Sequence, residues 1–195
     1  SETYLKTIHN QVSAIFNYAC KFYKLPENPA RQCGAMGKKK ADSMKFWTID
    51  EFKLFIEAVK NKPTSYAIFN LLFWSGMRSG EMLALTLNDF NLEANTVSIT
   101  KNYARLNNED LIMEPKTPRS KRIVTLPPMM SDVIRDYATR LVDYQPDDRL
   151  FAVTKHYLKR EMDRGCKASG VKVIRIHDIR HSHASLLIEL GFSPV

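Results

Sequence analysis

The chain has 195 residues, of which 44% are hydrophobic and 26% are charged. This composition excludes a collagen-like or intrinsically disordered chain, and the length is enough to bury one core with a small appendage. No stretch approaches the roughly 18 apolar residues needed to span a bilayer, and the mixed polar residues 1–10 lack the pattern of a secretory leader.

The charge balance and the cysteines indicate the surroundings in which the protein acts. The formal net charge is +8, and a basic surplus favours a polyanionic partner, most commonly nucleic acid. The three cysteines, Cys20, Cys33 and Cys166, are odd in number and lack C-x-x-C spacing. We therefore expect reduced thiols in a cytoplasmic protein.

An amphipathic helix is predicted at the start of the chain, followed by a basic linker. Apolar residues recur there every three or four positions, at Leu5, Ile8, Val12, Ile15, Phe16 and Ala19. Pro26 and Pro29 end this pattern. The stretch that follows contains Lys38, Lys39 and Lys40, which suit either a solvated connector or a flexible basic strap along a phosphate backbone.

A compact domain is predicted over residues 46–195. Thr48 and Glu51 form a capping box at the start of its first helix. The next helix, about residues 66–74, is apolar nearly all round and is therefore predicted to be buried. A tight polar break over residues 75–80 then leads into a further short helix.

The second half of this domain begins with short strands and returns to helices. Three β-prone runs, at residues 96–99, 111–113 and 123–126, predict a small antiparallel sheet. A turn over residues 115–121 is predicted to join the last two runs. Three helices are then predicted, around residues 133–141, 154–167 and 177–190. The predicted fold class is therefore mainly α-helical with a small antiparallel β-sheet.

Four residues carry the chemistry of the predicted site: Arg78 in the polar break, Lys116 in the turn, and His177 with Arg180 at a helix start. A guanidinium group donates two parallel hydrogen bonds to phosphate oxygens and stays charged at any working pH. A lysine ammonium supplies a proton to a departing alkoxide, and histidine titrates near neutrality. Placed together, these groups would bind a phosphodiester and stabilise its pentacovalent transition state.

Three motifs resemble those of the tyrosine recombinases, the phage integrase family. Residues 75–85, SGMRSGEMLAL, resemble the first arginine box, and residues 177–184, HDIRHSHA, resemble the H-x-x-R box. Between them, residues 115–122, PKTPRSKR, resemble the hairpin that bears the catalytic lysine. The motifs occur in the family's order, and the resemblance covers about residues 46–195.

The resemblance implies three parts of the chain and the fold of one of them. Residues 1–30 correspond to the last helix of a core-binding domain, and residues 31–45 correspond to a basic linker. Residues 46–195 correspond to a catalytic domain with the fold of the DNA breaking–rejoining enzymes.

The resemblance also implies a role for each site residue. Arg78 and Arg180 would clamp the scissile phosphate, while Glu81 would brace the arginine turn. Lys116 would protonate the leaving 5′-oxygen, and His177 would assist proton transfer at the attacking oxygen. No metal or other cofactor would be needed, because the arginines supply the positive charge. Further DNA-binding residues would be Lys38, Lys39, Lys40, Arg119, Lys121 and His181.

One feature departs from the family pattern. The family's nucleophilic tyrosine, and a further His or Trp position, follow the H-x-x-R helix, whereas the last tyrosine here, Tyr157, precedes His177. We therefore expect a chain cut off before its nucleophile, which binds DNA without cleaving it.

The resemblance further implies what the complete protein does. It would integrate and excise a phage or other mobile element by site-specific recombination through a 3′-phosphotyrosine intermediate. It would act as a homotetramer on double-stranded DNA attachment sites, with a directionality factor as an additional partner. It would reside in the cytoplasm of a bacterial host, at the nucleoid.

Two other functions use the same kinds of residue. A type IB topoisomerase would relax supercoils without a partner site, and a non-enzymatic DNA-binding regulator would work unchanged after Lys116→Ala. A metal site is a third reading, because His177 and His181 are one helical turn apart. It is disfavoured, since no Glu follows His177 and no acidic or cysteine cluster completes the site.

Overall fold

The computed structural model of the protein describes residues 1–38, 45–115 and 120–193. The chain divides into two units, Ser1–Met44 and Lys45–Val195. No helix within the described residues is both long and apolar enough to cross a membrane.

The first unit is built on the predicted amphipathic helix, α1 (Glu2–Phe22), which has no buried residue. It is followed by one short helical turn, α2 (Pro29–Gln32). Asn28 joins the two, because its side-chain amide donates to the Ser13 carbonyl at 3.0 Å and to Asn17 Oδ1 at 2.8 Å. The helix ends before Pro26, as the proline pattern predicts.

Six of the helices of the second unit are α3 (Ile49–Val59), α4 (Pro63–Ser75), α5 (Ser79–Leu83), α6 (Pro128–Ala138), α7 (Lys155–Ser169) and α8 (Asp178–Glu189). The predicted capping box begins α3, since Glu51 N–H donates to Thr48 Oγ1 and Thr48 N–H donates back to the Glu51 carboxylate. Local sequence therefore fixes the start of this helix.

Helix α4 lies at the centre of the core and packs against α3, α6 and α8. It is buried along most of its length, as its all-round apolar sequence predicts. Phe73 of α4 stacks on Phe52 of α3 with ring centroids 3.7 Å apart, and Phe69 meets Phe55 edge to face. These aromatic contacts fix α4, and with it the turn that follows its last residue.

The strands are β1 (Phe90–Asn91), β2 (Thr96–Ile99), β3 (Asn102–Leu106), β4 (Glu109–Met113) and β5 (Arg122–Thr125). In the described part of the chain they form an antiparallel sheet of order β1-β2-β5 and a separate antiparallel hairpin of β3 with β4. The predicted fold class, mainly helical with a small antiparallel sheet, is confirmed.

The strand pairing corrects one expectation. The run at 111–113 does not form a hairpin with the run at 123–126, because it pairs with β3, where Tyr103 faces Ile112. Strand β5 pairs instead with β2, where Val97 faces Val124. Val97 is buried in the core, so burial selects the partner of β5. The exposed β4 pairs with β3 through the tight turn at Asn107 and Asn108, which both have positive φ. Residues 115–121 thus connect strands of two different sheets.

Candidate active site

The turn after α4 places Arg78 at the start of the next helix. Gly76 ends α4 in the left-handed conformation, with φ 60°, and its N–H donates to the Leu72 carbonyl at 3.1 Å. The N–H of Met77 donates to the Ser75 hydroxyl at 3.2 Å. Arg78 follows as the N-cap residue of α5, so the turn directs its side chain out of the core.

The backbone at Gly76 touches the ring of His183, a residue of α8. A Cβ atom at position 76 would lie 2.4 Å from His183 Cδ2, so only glycine fits there. Burial lowers the pKa of His183, and the charge of Arg180 lowers it further, against a smaller opposing effect of the Phe73 backbone. The ring is therefore neutral near pH 7 and packs as an uncharged group against the turn.

Glu81 connects Arg78 to a second arginine, Arg122, the first residue of β5. Its carboxylate is 4% exposed and accepts from the Arg78 N–H at 2.9 Å and from Arg78 Nη1 at 2.8 Å. Arg122 donates to the same two oxygens, at 3.2 Å from Nη1 and 2.7 Å from Nη2. Burial by itself would raise the pKa of Glu81, but hydrogen bonds from Arg122 and Arg78 outweigh it and lower the pKa.

Arg180, on α8, is bound to the same turn as Arg78. Its Nη1 donates to the carbonyl oxygen of Gly76 at 2.5 Å. Burial lowers the pKa of Arg180, and repulsion by Arg78 and Arg122 lowers it further. The structure therefore brings together three guanidinium groups from three separate segments of the chain.

The charges and donors of this cluster suit an anion. Three guanidinium groups against the single Glu81 carboxylate leave two positive charges. Arg78 and Arg180 each use Nη1 to bind the protein, and their Nε and Nη2 atoms have no partner within the described residues. Two such donor nitrogens on each side chain match the oxygens of a phosphate group.

His177 lies at the N-cap position of α8 and is exposed. Its ring centroid is 5.4 Å from that of His181, and the two rings are perpendicular. The helix start is held by the next residue, the buried Asp178, whose carboxylate accepts from the Arg175 backbone at 3.1 Å and from the Arg175 guanidinium at 2.7 and 2.9 Å. His177 thus shares a rigid helix end with Arg180.

A buried tryptophan near the start of the second unit also anchors α8. The N–H of Trp47 donates to Ser182 Oγ at 2.8 Å, and the Ser182 hydroxyl donates to the Asp178 carbonyl at 3.1 Å. The indole N–H of Trp47 donates to the Lys172 carbonyl at 2.8 Å. These bonds fix α8 relative to α3.

The other predicted site residues form no described contact with the arginine cluster or lie outside the described residues. Lys38 is exposed in the first unit, and His181 is half-buried on α8. Lys121 forms an exposed ion pair with Glu114 at 3.1 Å. Four of the predicted site residues lie outside the described residues, namely Lys39, Lys40, Lys116 and Arg119. Within the described ranges, no group of three or more His, Cys, Asp or Glu side chains could hold a metal ion.

Two residues of the site were not predicted from the sequence as parts of it: Arg122 and His183. For Arg122 the signal is its place at the start of a β-prone run, directly after the segment that carries Lys116. The contacts of both residues are with residues far away in the sequence, so the periodicity of the sequence does not predict them.

Comparisons with known proteins identify the family of the chain. The model of the phage integrase family matches residues 45–194 of the chain. The ICEBs1 integrase of Bacillus subtilis is 27% identical over 96% of this chain and 54% of its own length. The integrase of Mycobacterium phage L5 is 26% identical over 94% of this chain and 51% of its own length. The chain thus spans about half the length of the curated relatives it matches.

Two solved structures show the same fold. The Tn1549 transposon integrase in complex with a circular intermediate DNA has a TM-score of 0.81 and 18% identity, covering 97% of this chain and 68% of its own. A lambda integrase dimer bound to a COC′ core site has a TM-score of 0.64 and 16% identity, covering 95% of this chain and 66% of its own. The predicted fold is thereby confirmed.

Proposed function

This chain belongs to the phage integrase family, the tyrosine recombinases, and from that premise we propose that it is part of a site-specific DNA recombinase. The observation that carries the proposal is the hydrogen bond from Arg180 to Gly76, because it joins the H-x-x-R helix to the turn of Arg78. This contact, and the repulsion between the two charges, support a phosphate site shared by arginines from two distant motifs.

The proposed reaction is a transesterification at phosphorus. A tyrosine hydroxyl attacks the scissile phosphate, a bond forms between phosphorus and the tyrosine oxygen, and the bond to the 5′-oxygen breaks. Arg78 and Arg180 bind the non-bridging oxygens, whose charge grows in the transition state. Lys116 gives a proton to the leaving 5′-oxygen, and His177 assists removal of the proton from the attacking hydroxyl.

The electrostatics of the site support this assignment. A phosphodiester carries one negative charge, and a pentacovalent transition state carries two. The two uncompensated positive charges around Glu81 therefore match the transition state better than the ground state. Arginines that hold this charge replace the metal ion used by other phosphoryl-transfer enzymes.

We also propose that these 195 residues bind DNA without cutting it. The family nucleophile follows the H-x-x-R box, and none of the eight tyrosines of this chain does. Tyr157 bonds to the core instead, since its hydroxyl is 2.9 Å from the buried Ser65 Oγ in the first turn of α4. Arg78 follows the other end of α4, about 15 Å further along the helix axis.

The proposed partners follow from the function. The complete protein exchanges strands between two double-stranded attachment sites as a homotetramer, assisted by a directionality factor, at the nucleoid of a bacterial host. The Tn1549 and lambda integrases cited above are bound to DNA in their structures, and their shared fold supports DNA as the partner here.

The test uses the product of the complete gene that encodes this chain. A nicked suicide duplex carrying a junction of the mobile element should trap a covalent complex, and mass spectrometry should find DNA on a tyrosine. Lys116→Ala and Arg78→Ala should abolish the adduct while binding persists. Cleavage that survives both changes would contradict the proposal, and plasmid relaxation without exchange between two sites would identify a topoisomerase instead.

A further inference from the structure

Arg122 is not among the four residues proposed to bind or protonate the phosphodiester, yet it is joined to one of them through Glu81. Building on the proposed function, we infer that Arg122 is a positioning residue that sets the direction of the Arg78 guanidinium.

The first step is the geometry of the Glu81 carboxylate. Each of its oxygens accepts one bond from Arg78 and one from Arg122, so the two arginines hold opposite sides of a single planar group. The planar guanidinium of Arg122 donates to both oxygens at once and so fixes the plane of the carboxylate. A single point charge, such as a lysine ammonium, would not fix that plane. Since Glu81 binds both the backbone and the side chain of Arg78, that plane decides where the free Nε and Nη2 of Arg78 point.

The second step is burial. Glu81 is 4% exposed and Arg122 is 27% exposed, so solvent does not loosen this pair as it loosens a surface ion pair. Arg122 also donates from Nη1 to the Ser120 carbonyl at 3.2 Å, which ties it to the segment just after residues 116–119. Because both of its Nη atoms are bonded to the protein, Arg122 acts through Glu81 rather than on the phosphate itself.

The experiment measures phosphate binding at each arginine separately. Inorganic phosphate is titrated into the 195-residue chain while the Nε–Hε resonances of Arg78 and Arg180 are followed by NMR. Both should shift along one binding curve in the wild type. In Arg122→Lys, which keeps the charge but loses the two-pronged donor, the Arg78 response should weaken at least fivefold. The Arg180 response should remain, because Gly76 rather than Glu81 holds Arg180.

A matched control is Arg140→Lys, because Arg140 makes the same two-pronged contact with Asp136, on the exposed face of α6. Its phosphate binding should stay within twofold of the wild type. If Arg122→Lys lowers the folded fraction, the double variant Glu81→Gln/Arg122→Gln carries the test, since it keeps the net charge and leaves no buried ion unpaired. It should show the same selective loss at Arg78.

The outcomes separate two failures. If Arg122→Lys binds phosphate as the wild type does, the positioning role is overturned and the proposed function is unaffected. The same holds for the double variant where it replaces Arg122→Lys. An equal loss at Arg78 and Arg180 also overturns it, because a general structural effect would then suffice. A wild-type chain in which phosphate shifts neither arginine contradicts the phosphodiester site itself.

Discussion

The guanidinium of Arg180 donates a hydrogen bond to the carbonyl oxygen of Gly76, across 104 positions of the chain. Gly76 precedes Arg78 by two residues, so this bond sets the second arginine beside the first. His183, one turn after Arg180 on the same helix, packs against Gly76. The turn is therefore held by α8 through both a polar and a packing contact, and substitutions can separate the two.

Replacing Gly76 tests the packing contact. Gly76→Ala introduces a left-handed alanine and a Cβ 2.4 Å from the His183 ring. We expect the free energy of unfolding, measured in urea, to fall by about 2–4 kcal/mol, of which backbone strain contributes about 1 kcal/mol and overpacking the rest. The control is Gly170→Ala, at φ 75° with no atom within 4 Å of the added Cβ, which should lose about 1 kcal/mol. Equal losses would show that His183 does not press on the turn.

Glu81 carries the polar part of the site. Glu81→Gln removes the charge that holds Arg78 and Arg122, and we expect a loss of about 2–4 kcal/mol in the free energy of unfolding. Asp136→Asn, which breaks an exposed pair with Arg140, should change the stability little. If both variants lose the same small amount, burial does not strengthen the Glu81 network.

The contribution of Glu81 to stability should depend on pH. The pKa of Glu81 is lower in the folded chain than its ordinary value of 4.5. The stabilisation is therefore complete above about pH 4.5 and is lost as the pH falls through the folded pKa. Urea unfolding of the wild type and of Glu81→Gln should differ most above that pH and converge in acid. A difference that grows as the pH falls would reverse the sign and contradict the assignment.

The three consecutive lysines of the linker should affect how DNA affinity depends on salt. If Lys38, Lys39 and Lys40 contact phosphates, replacing all three with alanine should reduce the slope of log affinity against log salt by about 2–3 for a mixed-sequence duplex. Fluorescence anisotropy over a range of salt concentrations measures that slope. Lys60→Ala serves as the control, because Lys60 is paired with Glu57 on α3. An unchanged slope in the triple variant would favour a solvated connector.

Tyr157 is predicted to serve the fold alone. Tyr157→Phe removes the hydroxyl that bonds Ser65 and should cost about 1 kcal/mol of unfolding free energy. DNA binding should be unchanged, and neither this variant nor the wild-type 195-residue chain should form a covalent adduct with a nicked duplex. Tyr66→Phe is a neighbouring control, since Tyr66 bonds Asn70 through its backbone carbonyl and its hydroxyl has no hydrogen-bond partner within the described residues. A DNA adduct on Tyr157 would contradict both its structural role and the expected inactivity.

Local sequence predicted the helices well because their signals are local. The capping box at Thr48, the all-round apolar α4 and the run of β2 each depend on residues a few positions apart. Strand β3 was not predicted, and β4 was given the wrong partner. No residue of β4 is buried, so burial does not choose its partner; the tight turn at Asn107 and Asn108, both with positive φ, pairs it with β3. The pairing of β5 with β2 depends instead on the burial of Val97 against a strand far from it in sequence.

The sequence by itself determined the family, the order of its motifs and the residue types that can hold a phosphate. Only the tertiary structure decided that Arg122 shares Glu81 with Arg78, across 41 positions, and that Arg180 binds the Gly76 carbonyl. The reason is physical. A motif records which side chains are present, whereas their convergence depends on α8 packing against α4 and on β5 ending beside α5, and those contacts are made by the folded core as a whole.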